Sequence, residues 1–167
     1  FDYAAQTRVY VVSDIDKNNP DQLATAYREL MTASGGGALG LFTSIARLRQ
    51  VHQRLADAPE MEKLMLLAQH VDPLDTGTLV DIFRAEENAC LLGTDAVRDG
   101  IDVPGRALRL VVYDRVPWPR PTILHKARKT DFEERHFGAK YDDMLTRLRL
   151  KQAYGRLVRR ADDHGVF

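Results

Sequence analysis

The chain has 167 residues, 44% hydrophobic and 29% charged, which are the proportions of one folded globular domain rather than of a disordered or fibrous chain. Its 24 Lys and Arg residues balance its 24 Asp and Glu residues, so no global charge attracts it to nucleic acid or to a membrane. Cys90 is the only cysteine, which excludes an intrachain disulfide and a thiolate metal cluster. We find no apolar stretch of the roughly 20 residues that a membrane span requires and no export signal, and we therefore expect a cytoplasmic location.

Short apolar runs alternate with stretches of helical period, a pattern that is typical of parallel α/β folds. Five of these runs are apolar enough to form strands that are covered on both faces. The predicted strands are residues 9–13, 38–43, 63–68, 89–93 and 108–113. The sequence thus predicts an α/β domain with a mostly parallel sheet and helices on both faces.

Two helices are predicted around the second strand. The first covers residues 20–33, with Asn19 as its cap, a proline at its first position and glycines at 35–37 beyond its end. The second covers residues 44–56, because apolar side chains recur there at helical spacing. Ser44 is therefore expected at a turn from strand to helix.

The last third of the chain contains a proline-rich stretch and then another helical pattern. Residues 116–122 hold three prolines and predict a rigid extended loop. Residues 140–163 predict a helix with an apolar stripe. The final Gly-Val-Phe, residues 165–167, predicts the beginning of a sixth strand. We expect residues 1–167 to be one domain of a longer protein, cut at that strand.

Three polar side chains share one side of the predicted last helix. Gln152, Arg156 and Arg159 fall within an arc of roughly 60°, nearly opposite the apolar stripe. Gly155 lies beside them, where a glycine inside a helix costs about 1 kcal/mol relative to alanine. The pattern fits a solvated basic face, and it also fits a phosphate clamp, because guanidinium groups bind phosphate oxygens and stabilise the charge of phosphoryl transfer. Spacing alone leaves both interpretations open.

Four strings in the chain resemble, in the expected order, the motifs of superfamily 2 helicases of the DinG and XPD group. They are LGLFTSIARLR at 39–49 for motif IV, LLGTDAVRDGIDVPG at 91–105 for motif V, YDRVPWPRPTILHKAR at 113–128 for the segment that follows, and QAYGRLVRR at 152–160 for motif VI. The resemblance spans almost the whole chain. It implies the second, C-terminal RecA-like (P-loop NTPase-type) motor domain of an ATP-dependent DNA helicase that unwinds 5′ to 3′.

The resemblance also implies which residues face the nucleotide. Arg156 and Arg159 would be arginine fingers that reach the terminal phosphate of ATP bound on the other motor domain. Gln152 would orient them. Gly100 and Asp102 of the motif V string would face the same cleft.

On the DNA side, the resemblance implies that Ser44 donates a hydrogen bond to a DNA phosphate and that Thr94 lies close to the bound strand. Trp118, between two prolines, either packs under its loop or stacks on a DNA base, and we favour packing. The family usually has an aromatic residue and Glu where Arg98 and Asp99 stand here, so no role is carried over to these two.

The sequence holds no GxxxxGK[ST] phosphate loop and no DEAH-type acidic motif. The resemblance therefore assigns ATP and magnesium mainly to the first, N-terminal helicase domain of the same parent chain, and we expect this chain to be inactive alone. An iron-sulfur cluster, which relatives often carry in the first motor half, is left open for the parent. The implied partners are single-stranded DNA and that first domain, with no membrane. The alternative function is a non-catalytic module that binds single-stranded nucleic acid or a protein.

Overall fold

A computed structural model describes residues 2–136 and 140–167, and its centre is a sheet in which every pair of neighbouring strands is parallel. The strands are β1 (Thr7–Arg8), β2 (Ala38–Leu41), β3 (Met65–Ala68), β4 (Ala89–Gly93), β5 (Leu110–Tyr113) and β6 (Gly165–Val166). Their order across the sheet is β1-β6-β5-β2-β4-β3. β2, the first long strand, therefore lies between β4 and β5, and the carboxyl ends of these three strands meet at one edge.

The helices cover both faces of this sheet, as predicted. They are α1 (Tyr3–Gln6), α2 (Pro20–Ser34), α3 (Ile45–Ala56), α4 (Thr76–Ala85), α5 (Asp95–Gly100), α6 (Ile123–Arg135) and α7 (Tyr141–Tyr154), with short 3-10 turns at Pro59–Met61 and Gly105–Ala107. Side chains of α2 and α3 form one buried core with Cys90 and Leu92, while α4, α5 and α7 form another with Leu91. Neighbouring residues of β4 thus face opposite cores, as expected for a doubly covered strand. Among the described residues, none of the helices has the length and apolar character needed to cross a bilayer.

The predicted cap of α2 and the predicted strand-to-helix turn at Ser44 are confirmed. The Asn19 side chain accepts hydrogen bonds from the backbone N–H groups of the first turn of α2. Gly35 ends that helix in the left-handed region at φ +65°, which favours glycine. Ser44 caps α3 by accepting from the backbone N–H of Arg47 at 3.3 Å.

The position predicted for the first strand is wrong. β1 contains only Thr7–Arg8, and residues 9–13 lie outside the sheet with exposed side chains, of which Val11 is 89% exposed. β1 lies at the edge of the sheet and pairs with β6. Beyond Arg8 the Tyr10 N–H still donates to the Phe167 carbonyl at 2.9 Å, and the run then leaves the sheet.

The length predicted for the last helix is also wrong. α7 ends at Tyr154, and Gly155 is its C-cap rather than an interior glycine, so the interior cost does not arise. The backbone tightens there into 3-10 geometry, in which Arg156 N–H donates to Ala153 O at 3.0 Å and Leu157 N–H donates to Tyr154 O at 3.1 Å. The 60° arc calculated for an unbroken helix therefore does not apply beyond residue 154.

The prediction that a sixth strand begins at the glycine of residue 165 is confirmed. β6 is inserted between β1 and β5 and pairs with both. This insertion brings the segment after α7 back to the sheet, next to the segment after α5.

Candidate functional site

The candidate nucleotide side of the domain is built on α5, which begins where β4 ends. Gly93 closes the strand, and a Cβ on this residue would lie 2.5 Å from Cγ2 of Val97. Only a glycine lets the first turn of α5 pack so tightly on the strand end. Thr94 and the acidic residues of α5 are thereby fixed at the carboxyl edge of the sheet.

The side chain of Arg98 ties the two ends of α5 together. It is only 6% exposed, and its guanidinium donates to Asp95 Oδ1 at 2.9 Å and to the two carboxylate oxygens of Asp99 at 2.9 and 3.2 Å. A buried guanidinium needs such partners, because an unpaired buried charge is strongly destabilising. The two positions that depart from the family pattern therefore form one ion-pair clamp.

Arg156 lies beside this clamp. Its Nη2 donates to the backbone carbonyl of Asp99 at 3.2 Å, and its buried Nε has no acceptor among the described residues. Burial, and after it repulsion from Arg159, lowers the pKa of Arg156. The guanidinium still remains charged at neutral pH, so Arg156 and Arg159 are two cations close enough to repel each other. An anion placed between them would relieve that repulsion.

Arg159 reaches the same corner and forms a loose ion pair with Asp102. Arg159 Nε is 3.5 Å from Asp102 Oδ1, and the two side chains are 36% and 72% exposed. Exposed pairs of this kind contribute only about 0 to 1 kcal/mol, so a stronger anion can displace the carboxylate. Arg156, Arg159 and Asp102 thus lie together at one corner of the domain.

The other two predicted residues on this side are less engaged. Gly100 ends α5 on the exposed side, and a Cβ built on it would have no atom within 4 Å. Gln152 is exposed on the last turn of α7 and, within the described ranges, makes no hydrogen bond to either arginine. Its predicted role in orienting the arginines therefore has no support from the contacts.

The backbone around Arg159 is held by a residue that the sequence analysis missed. Asp163 is buried, and its carboxylate accepts from the backbone N–H groups of Arg159 and Arg160 at 2.8 Å each and of Gly105 at 3.1 Å. The Gln6 side-chain amide donates to the Asp163 carbonyl at 3.0 Å. Asp162 beside it is exposed, and no local pattern in the sequence distinguishes the buried carboxylate from its neighbour.

The candidate DNA side is a cleft of about 550 Å³ at the carboxyl ends of β2 and β4. Ser44 and Thr94 both line it, as the resemblance implies. The Ser44 hydroxyl accepts from Arg47 N–H, which leaves its proton to donate outward. Thr94 differs, because its N–H and hydroxyl both donate to Gln69 Oε1, at 3.0 and 2.8 Å. In this arrangement Thr94 has no free proton to donate, so a hydrogen bond to a phosphate oxygen would have to come from another group.

A buried carboxylate is bonded to Thr43, one of the residues that line this cleft. The side chain of Asp114, just after β5, is fully buried and accepts from the backbone N–H of Thr43 at 3.0 Å and from the guanidinium of Arg47. Arg47 also donates to the carbonyl of Lys17 at 2.7 Å. This network joins the ends of β2 and β5, and sequence reasoning did not identify it because its members are far apart in the chain.

The proline-rich loop forms one wall of the cleft, and the prediction that Trp118 is buried is wrong. Its side chain is 55% exposed and lines the cleft. Arg149 donates to the Pro117 carbonyl at 2.9 Å, and Arg120 donates to the Thr43 carbonyl at 3.1 Å. These bonds and the fixed φ of the prolines hold the loop outward, so the indole projects into the cleft rather than beneath it.

A parallel sheet with helices on both faces, with cationic groups beside the helix that follows β4, agrees with the RecA-like class of domain. The chain belongs to a helicase family, since the family model described as "Helicase C-terminal domain" matches residues 27–167. Among the residues that the structure covers, no group of three or more His, Cys, Asp or Glu is arranged to hold a metal ion.

The resemblance to DinG helicases is confirmed by relatives that align along nearly the whole chain. It is 34% identical over 174 residues to "ATP-dependent helicase DinG" of Mycobacterium tuberculosis and 32% identical over 174 residues to "ATP-dependent DNA helicase YoaA" of Escherichia coli, covering 99% of this chain and 26% of each relative. It is 30% identical over 176 residues to "3'-5' exonuclease DinG" of Bacillus subtilis, covering 99% of this chain and 19% of that relative. The chain thus spans about a quarter or less of these proteins.

Proposed function

We propose that this chain is the second motor domain of an ATP-dependent 5′ to 3′ DNA helicase, working in a longer protein whose first motor domain binds ATP and magnesium. The proposal rests on one observation: Arg156 and Arg159, from the segment after α7, lie against Asp99 and Asp102, from the end of α5 and the loop beyond it. Cationic donors from one segment and the motif V residues from another thus share one corner at the strand ends. The mycobacterial and Escherichia relatives are both named as ATP-dependent helicases, which supports ATP dependence.

In this proposal the two arginines complete a site that another domain begins. The guanidinium of Arg156, whose Nη2 is bonded to a backbone carbonyl, and the loosely paired guanidinium of Arg159 suit the oxygens of a terminal phosphate, because guanidinium groups bind phosphate through charge-assisted hydrogen bonds. As charge develops on the transferring phosphoryl group, these donors stabilise the transition state. The first domain would hold the magnesium, which neutralises the phosphate oxygens.

The same geometry links nucleotide to DNA. α5 begins at the cleft, whose lining includes Thr94 and Asp95, and the Asp99 carbonyl near its other end accepts from Arg156. Six helical residues span about 9 Å, and the Arg98 clamp makes them a rigid unit. A movement of the arginines on ATP binding would therefore be transmitted to the DNA cleft, as coupling between two sites requires.

ATP hydrolysis by this chain, with and without single-stranded DNA, tests the proposal beside the same assay on the parent protein. We expect no turnover by the chain and DNA-stimulated turnover by the parent. Stimulated turnover by the chain alone would contradict the two-domain site. A parent that neither contains a phosphate loop nor hydrolyses ATP would favour the alternative, a non-catalytic module that binds single-stranded nucleic acid or a protein.

A further inference from the structure

Trp118 has an unusual combination of exposure and rigidity. More than half of its side chain is exposed, yet its loop is fixed by Pro117 and Pro119 on either side and by Pro121. Pro117 is itself buried, and its carbonyl is held by Arg149. Exposing a large aromatic ring to water is unfavourable, but a rigid loop prevents the indole from moving to a buried position. The indole is thus preorganised on the cleft wall.

The walls around the indole suit a polyanion. The residues lining the cleft include three arginines and a histidine, against a single acidic residue, and these are Arg120, Arg128, Arg149, His125 and Asp95. Arg120 and Arg149 each use one nitrogen to bind a backbone carbonyl. A guanidinium has five N–H donors, so both keep further donors for phosphate oxygens.

The cleft also has the size and position for a flexible strand. Its volume of about 550 Å³ falls within the roughly 300–1,000 Å³ of typical ligand sites. It runs from the proline loop to the Ser44 hydroxyl at the start of α3, a helix end whose N–H groups favour an anion. A cationic groove with an exposed aromatic ring is the arrangement by which proteins bind single strands without reading sequence.

We propose that Trp118 is a base-stacking platform for single-stranded DNA, with Arg120 and Arg149 beside it as phosphate contacts. The inference rests on the proposed function, which it deepens by naming the group that contacts a base. The strand would lie with its phosphates toward the arginines and one base against the indole. Because every base offers a π-face, the platform binds any sequence.

Trp118 is the only tryptophan of the chain, so its intrinsic fluorescence reports on this contact directly. The chain is titrated at low salt with a labelled oligothymidylate, following both tryptophan emission and the anisotropy of the label. We expect quenching and anisotropy to give the same midpoint. An abasic oligonucleotide of the same length should raise anisotropy without quenching, because it has phosphates but no bases.

Variants separate the ring from the loop. Trp118→Ala should weaken binding of the oligothymidylate about 5- to 150-fold, Trp118→Phe should restore most of it, and neither should change the affinity for the abasic strand. Ile123→Ala is the control, since Ile123 is exposed at the start of α6 but does not line the cleft. Anisotropy without quenching, or a Trp118→Ala variant that binds normally, would overturn the platform and leave the proposed function standing. Absence of any binding would overturn both.

Discussion

The buried carboxylate of Asp163 gives a prediction that adjacent residues can test against each other. Asp163 accepts three backbone N–H groups, two on Oδ2 and one on Oδ1, whereas Asp162 is exposed. In Asp163→Asn one oxygen becomes an NH₂ group, so whichever way the amide turns, at least one backbone N–H faces another donor. Asp162→Asn changes the same charge one residue away without disturbing a buried group.

The expected size follows from the bonds that are lost. A hydrogen bond to a charged group contributes about 1.5–3 kcal/mol, so Asp163→Asn should lower the free energy of unfolding by about 2–3 kcal/mol. Asp162→Asn should stay within about 0.5 kcal/mol of the parent sequence. With a urea dependence of about 2 kcal/mol per molar, the midpoint for Asp163→Asn falls by about 1–1.5 M.

Urea unfolding followed by circular dichroism measures these midpoints. Equal midpoint shifts for the two variants would refute the reasoning, because they would mean that net charge matters and the buried bonds do not. A midpoint for Asp163→Asn that matches the unmodified chain would refute it as well. A change in slope rather than midpoint would point to an altered unfolded state.

Three further predictions concern the sheet itself. The Arg109 guanidinium donates to four backbone carbonyls near the amino ends of β2 and β4, those of Ser34, Gly35, Glu87 and Arg106. Arg109→Met should therefore lower the free energy of unfolding by about 2–4 kcal/mol in the same urea assay. An unchanged midpoint would show that these bonds do not stabilise the fold. Burial raises the pKa of the Cys90 thiol from 9.0 to about 12. At pH 8, a disulfide reagent should therefore label Cys90 at least about a thousandfold more slowly in the folded chain than in urea. Equal labelling rates would contradict the burial of the thiol. Because the unfolded thiol ionises first, Cys90 should also make stability fall as pH rises from about 9 to about 12, a slope that Cys90→Ala should reduce.

The interior of the fold could be predicted from local pattern, and its margins could not. β4 coincides with the predicted run, residues 89–93, because an apolar strand covered on both faces is specified by its own composition. α2 begins and ends where Asn19 and the glycines indicate. The apolar run at 9–13 looks the same as a strand, but it leaves the sheet after Tyr10, whose N–H donates to Phe167 O, a partner more than 150 residues away that local pattern cannot indicate.

The candidate site shows the same division. Arg156 and Arg159 could be identified because their motif is contiguous, but beyond the end of the helix the backbone of Arg159 is held by the Asp163 carboxylate, which accepts from the N–H groups of Arg159 and Arg160. Leu157 and Val158 keep helical spacing and are buried, so periodicity cannot detect that the helix has ended. The prolines on either side of Trp118 indicate a rigid loop, but the exposure of the indole follows from hydrogen bonds between distant residues, such as the one from Arg149 to the Pro117 carbonyl.

The central claim is that Arg156 and Arg159 act on a phosphoryl group carried by another domain. The most direct measurement is steady-state ATP turnover by the parent protein carrying Arg156→Ala or Arg159→Ala, with Arg147→Ala, an exposed arginine of α7, as the matched control. Fingers act mainly in the transition state, so kcat should fall about a thousandfold or more while the Kd for single-stranded DNA stays within about threefold and the control retains full turnover. Unaltered kcat in both finger variants would contradict the account.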